Sequence, residues 1–246
     1  MLTTPHLPGF FLTFEGSKGS GISTQLRALI DYLHERGYPL VVTQEPGGTG
    51  LGDDIRRILL DRADSGMSDR AELLLYEASR AQLVRQVIRP ALASGVIVIC
   101  DRFSDSTTAY QGYGRGIDLA LIQSLILAAT GGLQPDCTIL LDIDPSIGRQ
   151  RARRRNGQPL DRLEGETLAF HRRVRQGYLL MAQHEPSRFV VIDASADPLA
   201  IQNQLRTTIC DRLQAHGIDR ETIAAATLAP MPTRSLPAQS TGDQTP

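Results

Sequence analysis

Five consecutive apolar residues, Val96–Cys100 (VIVIC), leave no polar face for solvent. A strand with one wet face alternates apolar and polar residues. A strand that is apolar throughout belongs in a parallel sheet covered by helices on both sides. Comparable runs occur at Phe10–Glu15, Pro39–Thr43, Cys137–Leu141 and Phe189–Ile192. Between them the apolar period switches to that of a helix. Leu26, Leu29, Ile30 and Leu33 recur until Gly37, and Ile55, Ile58 and Leu59 mark a short helix. Residues 71–93 predict a long helix, with Pro90 kinking or fraying its last turn. Leu119–Ala129, Ile147–Arg155, Thr167–Gln183 and Pro198–Ala215 predict four more. Alternating strands and helices predict an α/β fold with a doubly wound, parallel five-stranded sheet flanked by helices.

In such a sheet the ligand lies beyond the carboxyl ends of the strands. Three strand-ending segments, Gly16–Ser23, Glu45–Thr49 and Asp101–Arg102, are therefore expected to converge on one crevice. The first, Gly16, Ser17, Lys18, Gly19, Ser20, Gly21, Ile22 and Ser23, lies between strand and helix in the context of a P-loop. Its glycines let successive N–H groups turn inward toward phosphate, and the helix N-terminus adds partial positive charge. Ser23 supplies the hydroxyl expected on Mg²⁺. The lysine of G-x-x-x-x-G-K-[ST] is replaced by Ile22. The chain has 26 Lys plus Arg, and Lys18, its single lysine, stands four residues earlier in the same loop. Lys18 is expected to supply the missing charge.

Several classes are excluded. A formal net charge of −1 argues against a general nucleic-acid binder. No apolar run approaches the roughly 18 residues of a membrane span. Met1–Pro8 lacks the layout of a secretory signal, and Cys100, Cys137 and Cys210 form no C-x-x-C, so a reduced, cytoplasmic setting is expected.

Several stretches resemble bacterial thymidylate kinases (dTMP kinases). They are F-L-T-F-E-G before the loop, E-P-G-G-T at Glu45–Thr49 and E-L-L-L-Y-E-A-S-R-A-Q at Glu72–Gln82. D-R-F-S-D-S-T-T-A-Y-Q-G follows at Asp101–Gly112, then L-D-I-D-P, R-A-R-R-R, L-D-R-L-E and F-V-V-I-D-A-S. The resemblance covers roughly residues 10 to 215 and implies a P-loop nucleoside monophosphate kinase. It implies ATP and Mg²⁺ as cofactors, dTMP as the small-molecule substrate and a homodimer. It implies a kinase domain over 9–216 with an arginine-rich lid at about 149–163; residues 224–246, rich in Ala, Thr, Pro and Ser, are expected to form a disordered tail.

The roles follow residue by residue. Arg102 would grip the acceptor phosphate bidentately, and Asp101 would accept from that arginine or from Mg²⁺-bound water. Tyr76 would stack on thymine, with Arg80 one turn on. Tyr110 and Gln111 would line the sugar and base pocket, and Glu45 would face the substrate. Five arginines fall between Arg149 and Arg155, including like-charge i, i+4 pairs that cost stability unless an anion is near. Arg151 and Arg153 best match lid arginines that cover the transferring phosphoryl group. The chain departs from the family pattern at Ile22 (Lys), Lys18 (Asp or Glu), Gln44 (Arg), Ser79 (Asp) and Phe103 (Tyr). A kinase acting on another nucleoside monophosphate, or a relative that binds nucleotide without efficient transfer, are the alternative readings.

Overall fold

The apolar runs become strands. A computed structural model describes residues 9–60, 66–153, 162–163 and 165–219, with nothing to say of the side chains at 152 and 153. The sheet contains β1 (Phe10–Gly16), β2 (Leu40–Gln44), β3 (Ile97–Asp101), β4 (Cys137–Asp142) and β5 (Phe189–Asp193). All four pairings are parallel, in the order β2-β3-β1-β4-β5. Strand β1 is central and buried along its whole length. The expected fold class is therefore borne out.

Side-chain alternation sends β1 into two cores. Phe10, Leu12 and Phe14 pack with α1 (Ile22–His34) and α9 (Pro198–Ala215) through Leu29, Leu33, Leu205 and Ile209. Phe11 faces the opposite layer, where Phe103 meets it edge-on at 4.9 Å. Burying one such aromatic or aliphatic side chain stabilises the fold by about 1.5–3 kcal/mol. The remaining helices are α2 (Gly50–Leu60), α3 (Asp69–Leu83), α4 (Arg89–Ala93), α5 (Ser104–Thr107), α6 (Leu119–Thr130), α7 (Pro145–Arg153) and α8 (Leu168–His184).

Two segments depart from the sequence expectation. The long helix expected over 71–93 is interrupted by a π-helical segment, Val84–Ile88, and resumes as α4. Arg89 N–H donates to the Val84 carbonyl, five residues back. Pro90, which has no N–H to give, falls in the first turn of α4, where none is needed. The break thus lies upstream of the proline rather than at it. The second departure is Ser104–Gly114, where the sequence pattern predicts no helix. It is helical, α5 running into a π-helical segment Thr108–Gly114. Its polar start, Ser-Asp-Ser-Thr-Thr, shows no helical apolar period. The tail expected at 224–246 and the lid core at 154–161 lie outside the described residues.

Strand register sets the site. Phe14 and Gln44 both pair with Asp101, and Gly16 pairs with Leu141, so the carboxyl ends of β1, β2 and β3 finish nearly level. The three segments singled out in the sequence leave the sheet side by side.

Candidate active site

Two adjoining cavities open above that edge. One, of about 140 Å³, is walled by Ser17 through Ser23, with Gln44, Glu45, Arg56, Asp101 and Arg102. Gly16 ends β1 just beneath it. Gly19 and Gly21 hold φ at 78° and 91°, left-handed values that disfavour other residues. Gly21 precedes α1 without a side-chain cap, and no acidic residue occupies the first turn, so the helix N-terminus keeps its amides for an anion. The loop also rests directly on α7. A Cβ on Gly19 would lie 2.1 Å from the Gly148 carbonyl oxygen, and one on Gly148 would lie 2.3 Å from that of Lys18. Ile22 borders the cavity, but its side chain is buried in the α1 core with Leu26 and Leu29. Ser23 is exposed on the cavity wall.

The second cavity, of about 120 Å³, is lined by Tyr76, Arg80, Tyr110, Gln111, Phe103 and His171, among others. Lys18, Glu45, Arg56 and Arg102 border both cavities. Arg56 escaped the sequence reading because nothing in the sequence marks it off from its exposed neighbour Arg57. Its guanidinium donates to the Pro46 carbonyl at 2.7 Å, which aims it at the shared wall. His171 escaped too, as one buried residue within the polar run of α8.

Arg102 occupies the boundary with unusual backbone geometry. Its φ is 72°, the one positive value at a non-glycine position among the described residues. Such a conformation costs of order 1–3 kcal/mol and persists where its surroundings over-determine it. Here Arg102 N–H donates to the Phe14 carbonyl at 3.0 Å, and Phe103 N–H to Glu15 Oε1 at 2.8 Å. Glu15 is fully buried, and its Oε2 accepts from Ser106 Oγ (2.5 Å) and Tyr178 OH (2.8 Å). Those two hydroxyls in turn lie 3.2 Å from Arg102 Nη1. Burial, then the charge of Asp105, pushes the Glu15 carboxyl up to about 7, against the opposing pull of Arg102 and the two hydrogen bonds.

Arg80 is fixed just as firmly. It is 1% exposed, with Nε on Glu45 Oε2 at 2.8 Å, Nη2 on Thr107 Oγ1 at 3.0 Å and Nη1 on Glu77. Glu45 leaves its Oε1 buried without a hydrogen-bond partner, and burial lifts its carboxyl to about 7 despite Arg80. Beneath Gln111 lies another buried carboxylate, Glu72, 1% exposed. Its Oε1 accepts from Gln111 Nε2 at 2.6 Å, and its Oε2 from Arg115 Nη2 at 3.0 Å and Arg162 Nη1 at 2.5 Å. Burial would raise its pKa, but the Arg115 and Gln111 bonds and the two arginine charges outweigh that and hold it below the usual carboxylate range.

The structure thus brings Lys18, Glu45, Tyr76, Arg80, Asp101, Arg102, Tyr110 and Gln111 to one crevice with the phosphate loop. Arg151 stands to one side, donating to the Ala194 carbonyl beyond β5 at 2.9 Å. The Arg153 side chain lies outside the described residues. An anion-binding loop that meets a polar, aromatic-lined pocket across a half-buried arginine can hold a polyphosphate and a second phosphorylated molecule end to end.

Comparison with known proteins gives a consistent answer. The thymidylate kinase family model matches residues 14–205. A thymidylate kinase of Desulfovibrio desulfuricans is 50% identical over 212 residues, 84% of this chain and 98% of that protein. One from Deinococcus radiodurans is 50% identical over 204 residues, 83% of this chain and 98% of its own. The crystal structure of thymidylate kinase from Ehrlichia chaffeensis superposes with a TM-score of 0.66 at 35% identity, over 82% of this chain and 99% of that one.

Proposed function

The chain belongs to the thymidylate kinase family, and we propose how its two cavities divide that family's reaction between them. The enzyme is a phosphotransferase that uses ATP to convert dTMP to dTDP. ATP phosphates lie along the loop Gly16–Ser23, and dTMP occupies the pocket of Tyr76, Arg80, Tyr110 and Gln111. The observation that carries this reading is the shared wall: Lys18, Glu45, Arg56 and Arg102 border both cavities, where the transferring group must pass.

Arg102 grips the dTMP phosphate, oriented by Ser106 and Tyr178. One of that phosphate's oxygens bonds to the γ-phosphorus of ATP as the bond from that phosphorus to the ADP oxygen breaks. The attacking oxygen is already ionised, so no strong general base is required. Positioning and charge neutralisation account for most of the catalysis. Ile22 cannot neutralise phosphate charge, and its side chain is committed to the core. Lys18, at the junction, takes that role. Arg151 and Arg153 belong to the segment that closes over the donor.

Ser23 and Asp101 bring a hydroxyl and a carboxylate to the same cavity wall. These hard oxygen donors suit Mg²⁺, which binds through one or two protein groups together with substrate phosphates. When bound, the ion would offset phosphate charge.

A homodimer is part of the proposal. Helix α6 is mostly apolar apart from Gln123, Ser124 and Thr130, yet Ile122 and Thr130 are its buried residues, and Leu127 is 61% exposed. A helix of that character is normally covered, and a second copy would cover it. We place the enzyme in the cytoplasm, as its buried free thiols Cys100 and Cys137 suggest.

A coupled assay across dTMP, dUMP, UMP, AMP and CMP tests the function. Turnover with dTMP, and weak turnover with the rest, is expected. Measurable ATP binding without turnover of any acceptor would overturn it in favour of a nucleotide-binding relative.

A further inference from the structure

The Glu72 cluster lies one layer behind the acceptor pocket, and its hydrogen bonds have a direction. An ionised carboxylate only accepts. The Gln111 group that meets Glu72 Oε1 at 2.6 Å is therefore its NH₂, a donor. An amide has two unlike ends, so the other end of Gln111, its carbonyl oxygen, is turned away from Glu72. Gln111 is 1% exposed and lines the pocket.

We propose that Glu72 is a specificity-determining positioning residue: it locks the Gln111 amide so that the pocket meets an acceptor and selects a base carrying N3–H. The proposal rests on the reading of this cavity as the acceptor-base pocket. Thymine and uracil carry a hydrogen on N3. Cytosine presents a lone pair there, which would face the Gln111 oxygen unpaired. A buried site built for one hydrogen-bond polarity rejects the opposite one strongly, because the mismatched groups have no water to turn to.

The arginines make the lock testable. Arg115 Nη2 and Arg162 Nη1 donate to Glu72 Oε2 at 3.0 and 2.5 Å, whereas Oε1 takes its short bond from Gln111 and only a long one, 3.4 Å, from Arg115 Nε. In a Glu72→Gln variant the new amide keeps its oxygen under those two donors. Its NH₂ then replaces Oε1 and faces Gln111. Two NH₂ groups cannot hydrogen-bond to each other, so Gln111 must turn, offering its oxygen to residue 72 and its NH₂ to the pocket. The charge change is buried and remote from the substrate, yet the preferred base polarity reverses.

The test uses the full chain, wild type and Glu72→Gln, with dTMP, dCMP and N3-methyl-dTMP as acceptors and ATP as donor. Wild type should favour dTMP over both others. In Glu72→Gln the ratio of kcat/KM for dTMP over dCMP should fall about tenfold or more, which corresponds to one misdirected hydrogen bond of roughly 1.4 kcal/mol. The change should appear mainly as a raised KM for dTMP, with kcat altered far less. A merely structural role would depress both acceptors alike. A folded Glu72→Gln enzyme with the wild-type ratio overturns the proposal. Wild type that accepts N3-methyl-dTMP as readily as dTMP overturns the reading of the pocket instead. If Glu72→Gln does not fold, a structure of the wild type with dTMP decides: one Gln111 amide bonded at once to Glu72 and to N3 of the base is expected, and a Gln111 that contacts only one of them refutes the lock.

Discussion

The two halves of the crevice are built from different materials. The acceptor half is held by side chains: buried carboxylates, among them Glu15, Glu45, Glu72 and Glu77, each locked to arginines or hydroxyls. The donor half is held by backbone: Gly19 and Gly21 in left-handed conformations, free amides at the start of α1, and loop carbonyls against Gly148. Side-chain networks can express a preference among bases. Backbone amides recognise phosphate, which is the same whatever base it carries. The chain could therefore lose its P-loop lysine and keep the loop's shape.

Substitutions on either side should break this contrast in opposite ways. The largest effect is expected from Arg80→Ala. It strands Glu45 and Glu77 without their shared cation and should destabilise the fold by about 3–5 kcal/mol, seen as a large fall in Tm or in the denaturant midpoint. An unchanged midpoint would mean the acceptor half does not depend on its ion pairs. Gly19→Ala probes the donor half. The left-handed φ and the 2.1 Å clash with Gly148 should cost about 1–3 kcal/mol and raise the KM for ATP, leaving the KM for dTMP nearly constant. An equal rise for both substrates would erase the distinction.

The third measurement is pH. Glu15 has its pKa raised to about 7 from an ordinary 4.5. Between those values the folded chain retains a proton that the unfolded chain has released. The contribution of this group to stability is thus full below about 4.5 and falls as pH rises toward 7, by at most ~1.4 kcal/mol per pH unit. Glu15→Gln should flatten that part of the stability profile, and a slope as steep as wild type would locate the effect elsewhere. The smallest expected effect is Lys18→Ala, about tenfold in kcat/KM for ATP, since one partly solvated charge among several is removed. Wild-type kinetics for this variant would show that backbone amides and arginines suffice.

The same contrast governs what could be read from the sequence. Backbone requirements write themselves into residue type. The glycines of the loop, the all-apolar Val96–Cys100 and the helix at Pro198–Ala215 were visible because each depends on local pattern. Glu15 was not visible as a buried anchor, because a glutamate before a glycine says nothing about which hydroxyls will surround it. The helix at Ser104–Gly114 was hidden for a related reason. Its inward residues, Asp105, Thr107 and Gln111, are polar and bond to other elements, so no apolar stripe announces them. Arg56, likewise, is given its place by Pro46 and not by any neighbour in sequence.

The left-handed turn at Arg102 ties recognition to the sheet itself. The amides of Arg102 and Phe103 are anchored to Phe14 and Glu15 on the neighbouring strand β1. A ligand that loads the guanidinium therefore tensions the seam between β1 and β3. In hydrogen–deuterium exchange, occupancy of the acceptor pocket should register deep in the protein's most protected strands, a longer-lived signature than any change in the loops around the mouth.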